Sequence, residues 1–273
     1  MSRAMSITVS QLYIYPVKGL QAIAVQRAQC TDRGFEHDRR FMVVDAQGRF
    51  ISQREHPRMA TIWTDIHQDV LALSAPDLPE VEVPLEPRGA ASLRVQVWRS
   101  TCDAVAASSA ADAWLTDYLR LPCRLVYMPE STHRFSNEQY APGKLVSFAD
   151  GYAYLVTNEG SLADLNARLV SKGAPGVPMN RFRPNIVVAG AEAFAEDGWR
   201  ELRTGSAVLR SAKPCGRCEV TTTDQSTGER RGPEPLATLA EYRDGRDFGL
   251  MFGMNFATQQ AGSIAIGDAV SVA

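Results

Sequence analysis

No apolar run in this 273-residue chain approaches the roughly eighteen residues that a membrane-crossing helix needs. No membrane span is expected. The opening Met1-Ser-Arg-Ala-Met-Ser leads into short alternation rather than the apolar core of a secretory signal, so the expected location is cytoplasmic. An excess of basic residues is also missing: 29 Lys and Arg stand against 31 Asp and Glu, for a net charge of −2. A dedicated nucleic-acid binder would carry such an excess, and no nucleic-acid partner is expected. Cysteine is scarce and odd in number, with Cys30, Cys102, Cys123, Cys215 and Cys218. Without a secretory signal this reads as free thiols, not a disulfide framework. Internal repeats and low-complexity tracts are absent. The remaining composition, 45% apolar and 22% charged, is that of a chain able to bury a core in one large or two ordinary domains.

Alternation at period two dominates the first half. Ile7, Val9 and Leu12 to Tyr15 predict one strand; Phe41 to Asp45 and Phe50-Ile-Ser predict a hairpin around Ala46-Gln-Gly48. Short strands follow at Met59 to Trp63, Val70 to Ser74, Val81 to Val83 and Leu93 to Trp98. Between Ser108 and Leu121, Ala110, Trp114, Leu115, Tyr118 and Leu119 recur at helical spacing, and Pro122 ends the run. Pro129 to Lys144 reads as a loop, which places a domain junction near residue 125. Beyond it, strands are expected at Ala153 to Val156, Asn185 to Ala189, Ala207 to Leu209, Val220 to Thr223 and Ser263 to Val270. A helix is expected from the capping signal Ser161-Leu-Ala-Asp164, and a short one from Pro235. The expected fold is α+β and β-rich, in two domains, 1–125 and 126–273. Trp63, Trp98, Trp114 and Trp199 read as core or helix-packing aromatics.

Cys215-Gly-Arg-Cys218 places two thiols on a turn where Gly216 lets a ligand come close to the backbone. Structural zinc would want a further Cys or His pair at finger spacing, but His37, His56, His67 and His133 are scattered and all precede Cys215. A thioredoxin-like pair would want a helix after the motif, whereas Glu219-Val-Thr-Thr-Thr223 is strand-forming. Two readings stay open: inert packing thiols, or a metal-binding or nucleophilic thiolate beside the cation of Arg217.

The wider context narrows the choice. Lys213-Pro-Cys-Gly-Arg-Cys-Glu-Val-Thr-Thr-Thr-Asp-Gln-Ser-Thr-Gly228, followed by Glu234-Pro-Leu-Ala-Thr-Leu-Ala-Glu-Tyr-Arg243, resembles the MOSC domain family, and within it the bacterial and mitochondrial amidoxime-reducing branch. Tyr15-Pro-Val-Lys-Gly19 and Asp38-Arg-Arg-Phe41 are similar to the N-terminal β-barrel domain that accompanies MOSC in that branch. Ser161 to Leu169, Phe182-Arg-Pro-Asn-Ile-Val187 and Phe248-Gly-Leu-Met-Phe-Gly253 follow the MOSC half in order.

The resemblance implies a MOSC-type β-barrel domain plus an N-terminal β-barrel-like domain, holding a molybdenum cofactor (Mo-molybdopterin) between them. It implies Cys218 as catalytic thiolate ligand to the metal, with Cys215 secondary. Lys18, Gly19 and Arg40 fall where the pterin phosphate is held, and Arg183 and Asn185 where the ring is hydrogen-bonded. Gly216, Arg217 and the Thr221 region line the same pocket. Asp150 aligns with a polar lining segment, and Asn255 replaces an aromatic of the animal members. The implied activity is two-electron reduction of N-hydroxylated compounds such as amidoximes, hydroxylamines and N-hydroxylated bases. The chain to Ala273 lacks the Cys cluster of an iron-sulfur centre. Electrons are therefore expected from a separate donor protein: a reductase, or a ferredoxin-like or cytochrome-like carrier. The alternative from another class is a cofactor or sulfur carrier without turnover of its own.

Overall fold

The computed structural model describes residues 6–89 and 91–273; the opening Met1 to Met5, which entered the reading of a missing secretory signal, lies outside them. Strands dominate. The largest sheet has eight, in the order Val270–Val272, Glu201–Thr204, Ala207–Gly216, Met251–Gln260, Tyr154–Asn158, Ile186–Ala189, Thr8–Ile14, Ile23–Ala24. A second sheet runs Ser92–Val97, Ser100–Ala106, Arg124–Tyr127, Phe41–Val44, Val17–Lys18. Among the described residues two three-stranded sheets complete the fold, and the pairing orders are open at both ends. The β-rich α+β class expected from the sequence is the one observed.

Pairing does not follow the division at residues 125 and 126. Thr8–Ile14 pairs antiparallel with Ile186–Ala189, and Arg27–Thr31 pairs with Gly262–Ala265. The physical reason is burial: Val9, Leu12, Ala28 and Phe35 share one apolar core with Val156, Val188, Leu209 and Phe256. Alternation in a sequence shows which face of a strand is apolar and is silent on which strand covers it. A separate core gathers Val17, Phe41, Leu71, Val83, Trp114, Leu115 and Leu125.

Helix α1, Ser109–Leu119, begins where Ser108 Oγ accepts from the Ala111 N–H and ends at Arg120 in a left-handed conformation, ahead of Pro122. Helix α2, Glu159–Ser171, starts earlier than expected. Its cap is Asn158, whose side chain accepts from the Gly160 N–H. Ser161 is instead fully buried and donates to the Glu196 carboxylate. α2 supplies the crossover between Tyr154–Asn158 and Ile186–Ala189, the pair that runs parallel. Helix α3, Leu236–Ala240, follows Pro235 and buries Leu239.

Three other local readings need correction. Met59 to Trp63 is not one strand: Pro57, with its fixed φ, opens a 3-10 turn over Pro57–Thr61, and the strand begins at Trp63. Val220 to Thr223 is a 3-10 turn, Glu219–Thr222, because the Cys218 carbonyl accepts from both the N–H and the hydroxyl of Thr221. Hydroxyls this close to the backbone offer an alternative to a sheet ladder. The strand argument against a redox pair therefore falls away. Finally, Trp63 and Trp98 are substantially exposed, whereas Trp114 and Trp199 are buried.

Candidate active site

One cleft, of about 200 Å³, gathers residues from positions 18 to 255. Three backbone devices shape it. Val17–Lys18 pairs parallel with Phe41–Val44 and hands over to Gly19, whose φ of +84° turns the chain. The long strand Ala207–Gly216 shifts register against Met251–Gln260 around Pro214, which has no N–H for the ladder. Gly216 then passes so close to Phe248 that a Cβ would lie 2.1 Å from its carbonyl oxygen. Only glycine fits there, and the close passage delivers Arg217 and Cys218 to the cleft.

Lys18 donates to the Asp150 carboxylate, which also accepts from the Trp98 indole N–H at 3.0 Å. Burial pushes the Lys18 ammonium down, and Asp150 offsets part of that. Desolvation pushes Asp150 up, but the Lys18 charge and hydrogen bond, with the Trp98 N–H, outweigh it and hold the carboxyl well below the usual range. Asp150 stays ionised. Buried Arg134 shapes the loop beneath it, donating to the carbonyls of Ser147, Ala149 and Asp150.

Two arginines flank the buried Tyr15 ring, Arg39 at 4.2 Å and Arg183 at 4.4 Å from its centroid. Both have left-handed backbones, with φ of 49° and 56°. Such a conformation is uncommon in side-chain-bearing residues and concentrates where the surroundings enforce it. The enforcement is visible. Arg39 Nη1 donates to Asp38 at 2.7 Å and to Asn185 Oδ1 at 2.9 Å, while Arg183 donates to Leu20 O at 2.7 Å and Gln225 Oε1 at 3.2 Å. Tyr15 donates to Pro184 O at 3.0 Å, and burial drives its phenol up to about 12. Burial, with Arg39 adding repulsion, pushes Arg183 down to about 10.

The structure brings Lys18, Gly19, Asp150, Arg183, Asn185, Gly216, Arg217, Cys218 and Asn255 to this cleft. Arg40 it does not. Arg40 donates to the Met128 carbonyl and Tyr127, pairs with Glu130, and lines a separate cavity. Its neighbour Arg39 faces the cleft instead, because the left-handed turn at Arg39 breaks the alternation that a strand reading carries back from Phe41. Asn185 is present but fully engaged. Its amide donates to Tyr13 O and Asp38, and its oxygen accepts from Leu155 N and Arg39, so it braces the cleft rather than offering free groups to a ring. Asn255 likewise donates to Lys213 O at 3.2 Å.

Arg217 donates to Cys215 Sγ at 2.8 Å and to Phe182 O at 2.7 Å, and its buried Nε has no partner among the described residues. Cys218 is half-buried, and its thiol is not committed to another side chain among the described residues. The two cysteines are thus already distinguished: Cys215 is held by Arg217, and Cys218 is available. Reading the sequence missed Arg39, Phe50, Arg54 and Trp98 as cleft residues, and the buried Tyr15 against which Arg39 and Arg183 pack. Only the doubled Arg39-Arg40 carried a hint.

Both halves of the chain match known domain families: residues 6–122 match the MOSC N-terminal beta barrel domain, and residues 143–271 the MOSC domain. The chain is also 34% identical over 281 residues to mitochondrial amidoxime-reducing component 1 of Homo sapiens, covering 96% of this chain and 82% of the relative. The chain belongs to the MOSC family of amidoxime-reducing components. Mitochondrial amidoxime reducing component 2 of Rattus norvegicus is 34% identical over 284 residues, with the same shares covered. No helix among the described residues of this MOSC protein is long and apolar enough to cross a membrane.

The cleft of this MOSC protein fits an anionic cofactor with a soft metal. Lys18, Arg39, Arg54, Arg183 and Arg217 line it, with Asp150 as the carboxylate lining it and Asp38 behind it. That surplus of positive charge, the depressed Arg183 and the orphaned Arg217 Nε are what an anion would relieve. No three His, Cys, Asp or Glu side chains among the described residues converge to hold an ion by themselves. A metal here would take one protein thiolate and draw its other ligands from its own cofactor.

Proposed function

We propose that this chain is a molybdenum-cofactor-dependent reductase of N-hydroxylated compounds, with Cys218 as the thiolate that holds the metal. The observation that carries the reading is convergence. A free thiol from the second half of the sequence and a cation set drawn from both halves share one cleft, in a chain whose relatives are named for amidoxime reduction. When bound, the molybdenum cofactor supplies two-electron chemistry and an acceptor for the oxygen of the substrate N–O bond.

The protein's own residues bind and orient. Lys18, Arg39 and Arg183 set positive charge against the pterin phosphate, the arginines as planar forks and Lys18 as a point charge. Asp150 orients the Lys18 ammonium, and the Tyr15 ring favours the charge of both arginines. Arg217, fixed by Phe182 O and Cys215, keeps Cys215 away from the ligand role. Electrons come from a separate donor protein, a reductase or a ferredoxin-like or cytochrome-like carrier.

The test is elemental analysis of protein from a cofactor-competent host, followed by reduction of benzamidoxime with an artificial donor. We expect about one molybdenum per chain and turnover. Cys218→Ser is expected to lose the metal and at least 100-fold in rate, roughly what removal of a central catalytic group costs. Full molybdenum in Cys218→Ser would sink the ligand assignment. Metal without turnover on any N-hydroxylated substrate would point to a cofactor carrier.

A further inference from the structure

One wall of the cleft is shared with a second space. This groove, of about 620 Å³, lies beyond the wall, and Phe50, Ile51, Ser52, Arg54 and Trp98 line both spaces. Trp98 stands at the tip of the hairpin joining Ser92–Val97 to Ser100–Ala106. Two-residue hairpin tips call for left-handed backbone and normally take Gly, Asn or Asp. Here the largest side chain adopts it, with φ of 55°, and remains 38% exposed.

Exposure alone would mean little, and strain alone would need only a local cause. Trp98 combines both with long-range anchoring. Its indole N–H reaches Asp150, 52 residues away, at 3.0 Å. Its ring meets Phe50 edge-on with centroids 4.7 Å apart, and the Arg54 guanidinium lies 4.5 Å from it. Lys18 in turn stands 5.1 Å from the Phe50 ring. The partition is therefore a run in which two cations, Arg54 and Lys18, bracket two aromatic rings, Trp98 and Phe50, between the cleft and the open groove. Such a surface recognises flat, π-rich groups by edge, stacking and cation contacts, and gives little to small polar molecules.

We propose that Trp98 is a specificity-determining residue: with Phe50 and Arg54 it receives the planar aromatic part of an N-hydroxylated substrate whose N–O end lies in the cleft. The proposal rests on the reductase reading above for its substrate class. A substrate without an aromatic part, such as hydroxylamine, does not reach the partition.

The experiment compares benzamidoxime with hydroxylamine in the molybdenum-loaded protein, for wild type, Trp98→Ala and Trp98→Phe. Calorimetric binding of benzamidoxime to the same proteins is measured without electron donor. For Trp98→Ala we expect the benzamidoxime KM and Kd to rise about tenfold, with kcat changed less than about threefold, the scale of a lost aromatic contact. Hydroxylamine kcat/KM should fall much less, and Trp98→Phe should recover most of the benzamidoxime affinity. An equal loss for both substrates, or a Trp98→Phe as poor as Trp98→Ala, would overturn the proposal, since either places the effect in Asp150 or the fold. Unchanged benzamidoxime affinity in Trp98→Ala would also overturn it. Wild type that reduces neither compound would defeat the reductase reading, while the calorimetric comparison would still decide the role of Trp98.

Discussion

Arg39 and Arg40 are adjacent, identical in chemistry and opposite in role. Arg40 is buried against carbonyls of the Met128 region, whereas Arg39 turns back over Tyr15 toward the cleft. The motif Asp38-Arg-Arg-Phe41 was legible as a cation source, but choosing between its arginines needs the backbone angle at one residue, which no pattern of side chains encodes. That Lys18, Arg183 and Cys218 line one cleft was legible because each falls in a string whose neighbours constrain it. Trp98 was not, since a tryptophan in an alternating run reads as core. At this scale the expected outcome is asymmetric. Arg39→Lys keeps the charge but loses the fork to Asp38 and Asn185, and should cut molybdenum retained after gel filtration severalfold or more. Arg40→Lys should leave retention near wild type and show its effect in thermal melting. Equal retention in the two variants would return the phosphate contact to either arginine.

Elements were legible where a cap or a breaker was local. Ser108 and Pro122 frame α1 in the sequence as they do in space. The start of α2 lies ahead of the Ser161 capping signal because Asn158 caps the helix and the Ser161 hydroxyl serves a buried acid instead. Glu196 is fully buried, accepts from Ser161 at 2.7 Å, and ties the start of α2 to the Ala195–Gly198 turn. Burial raises its carboxyl above the ordinary value near 4.5, and the Ser161 bond offsets part of that. With a raised folded-state value, the folded protein binds the extra proton, so this contribution to stability is fully present below about pH 4.5 and declines as pH rises through the raised value. Glu196→Gln keeps an acceptor for Ser161 and cannot ionise. Its urea midpoint relative to wild type should therefore climb between pH 5 and pH 7. A constant or falling difference would show that the ionised form is not penalised there.

At the scale of the whole molecule, one cleft touched by residues from 18 to 255 makes any ligand held there a cross-link between distant parts of the chain. A ligand at a hundred times its Kd contributes about 2.7 kcal/mol to stability. In a chain of this size each kcal/mol moves the melting temperature by about 2–4 °C, so stripping the cofactor should lower it by roughly 5–11 °C. A melt unmoved by cofactor removal would mean that the group does not bridge the cleft. Calorimetry on loaded and stripped protein reads this directly.

The strand Thr8–Ile14 has a consequence for how the molecule comes into being. Its partner Ile186–Ala189 is made some 180 residues after it, and the Asp268 carbonyl that accepts from Val9 N later still. Tyr15 follows directly on that strand and donates to Pro184 O, so it gains its final place only when the strand docks. Contacts this remote in sequence close slowly and late. A nascent chain thus has no cradle to offer: any ligand of this cleft must enter a finished protein, and cells in which its supply lags behind translation would accumulate folded, empty molecules ready to be filled.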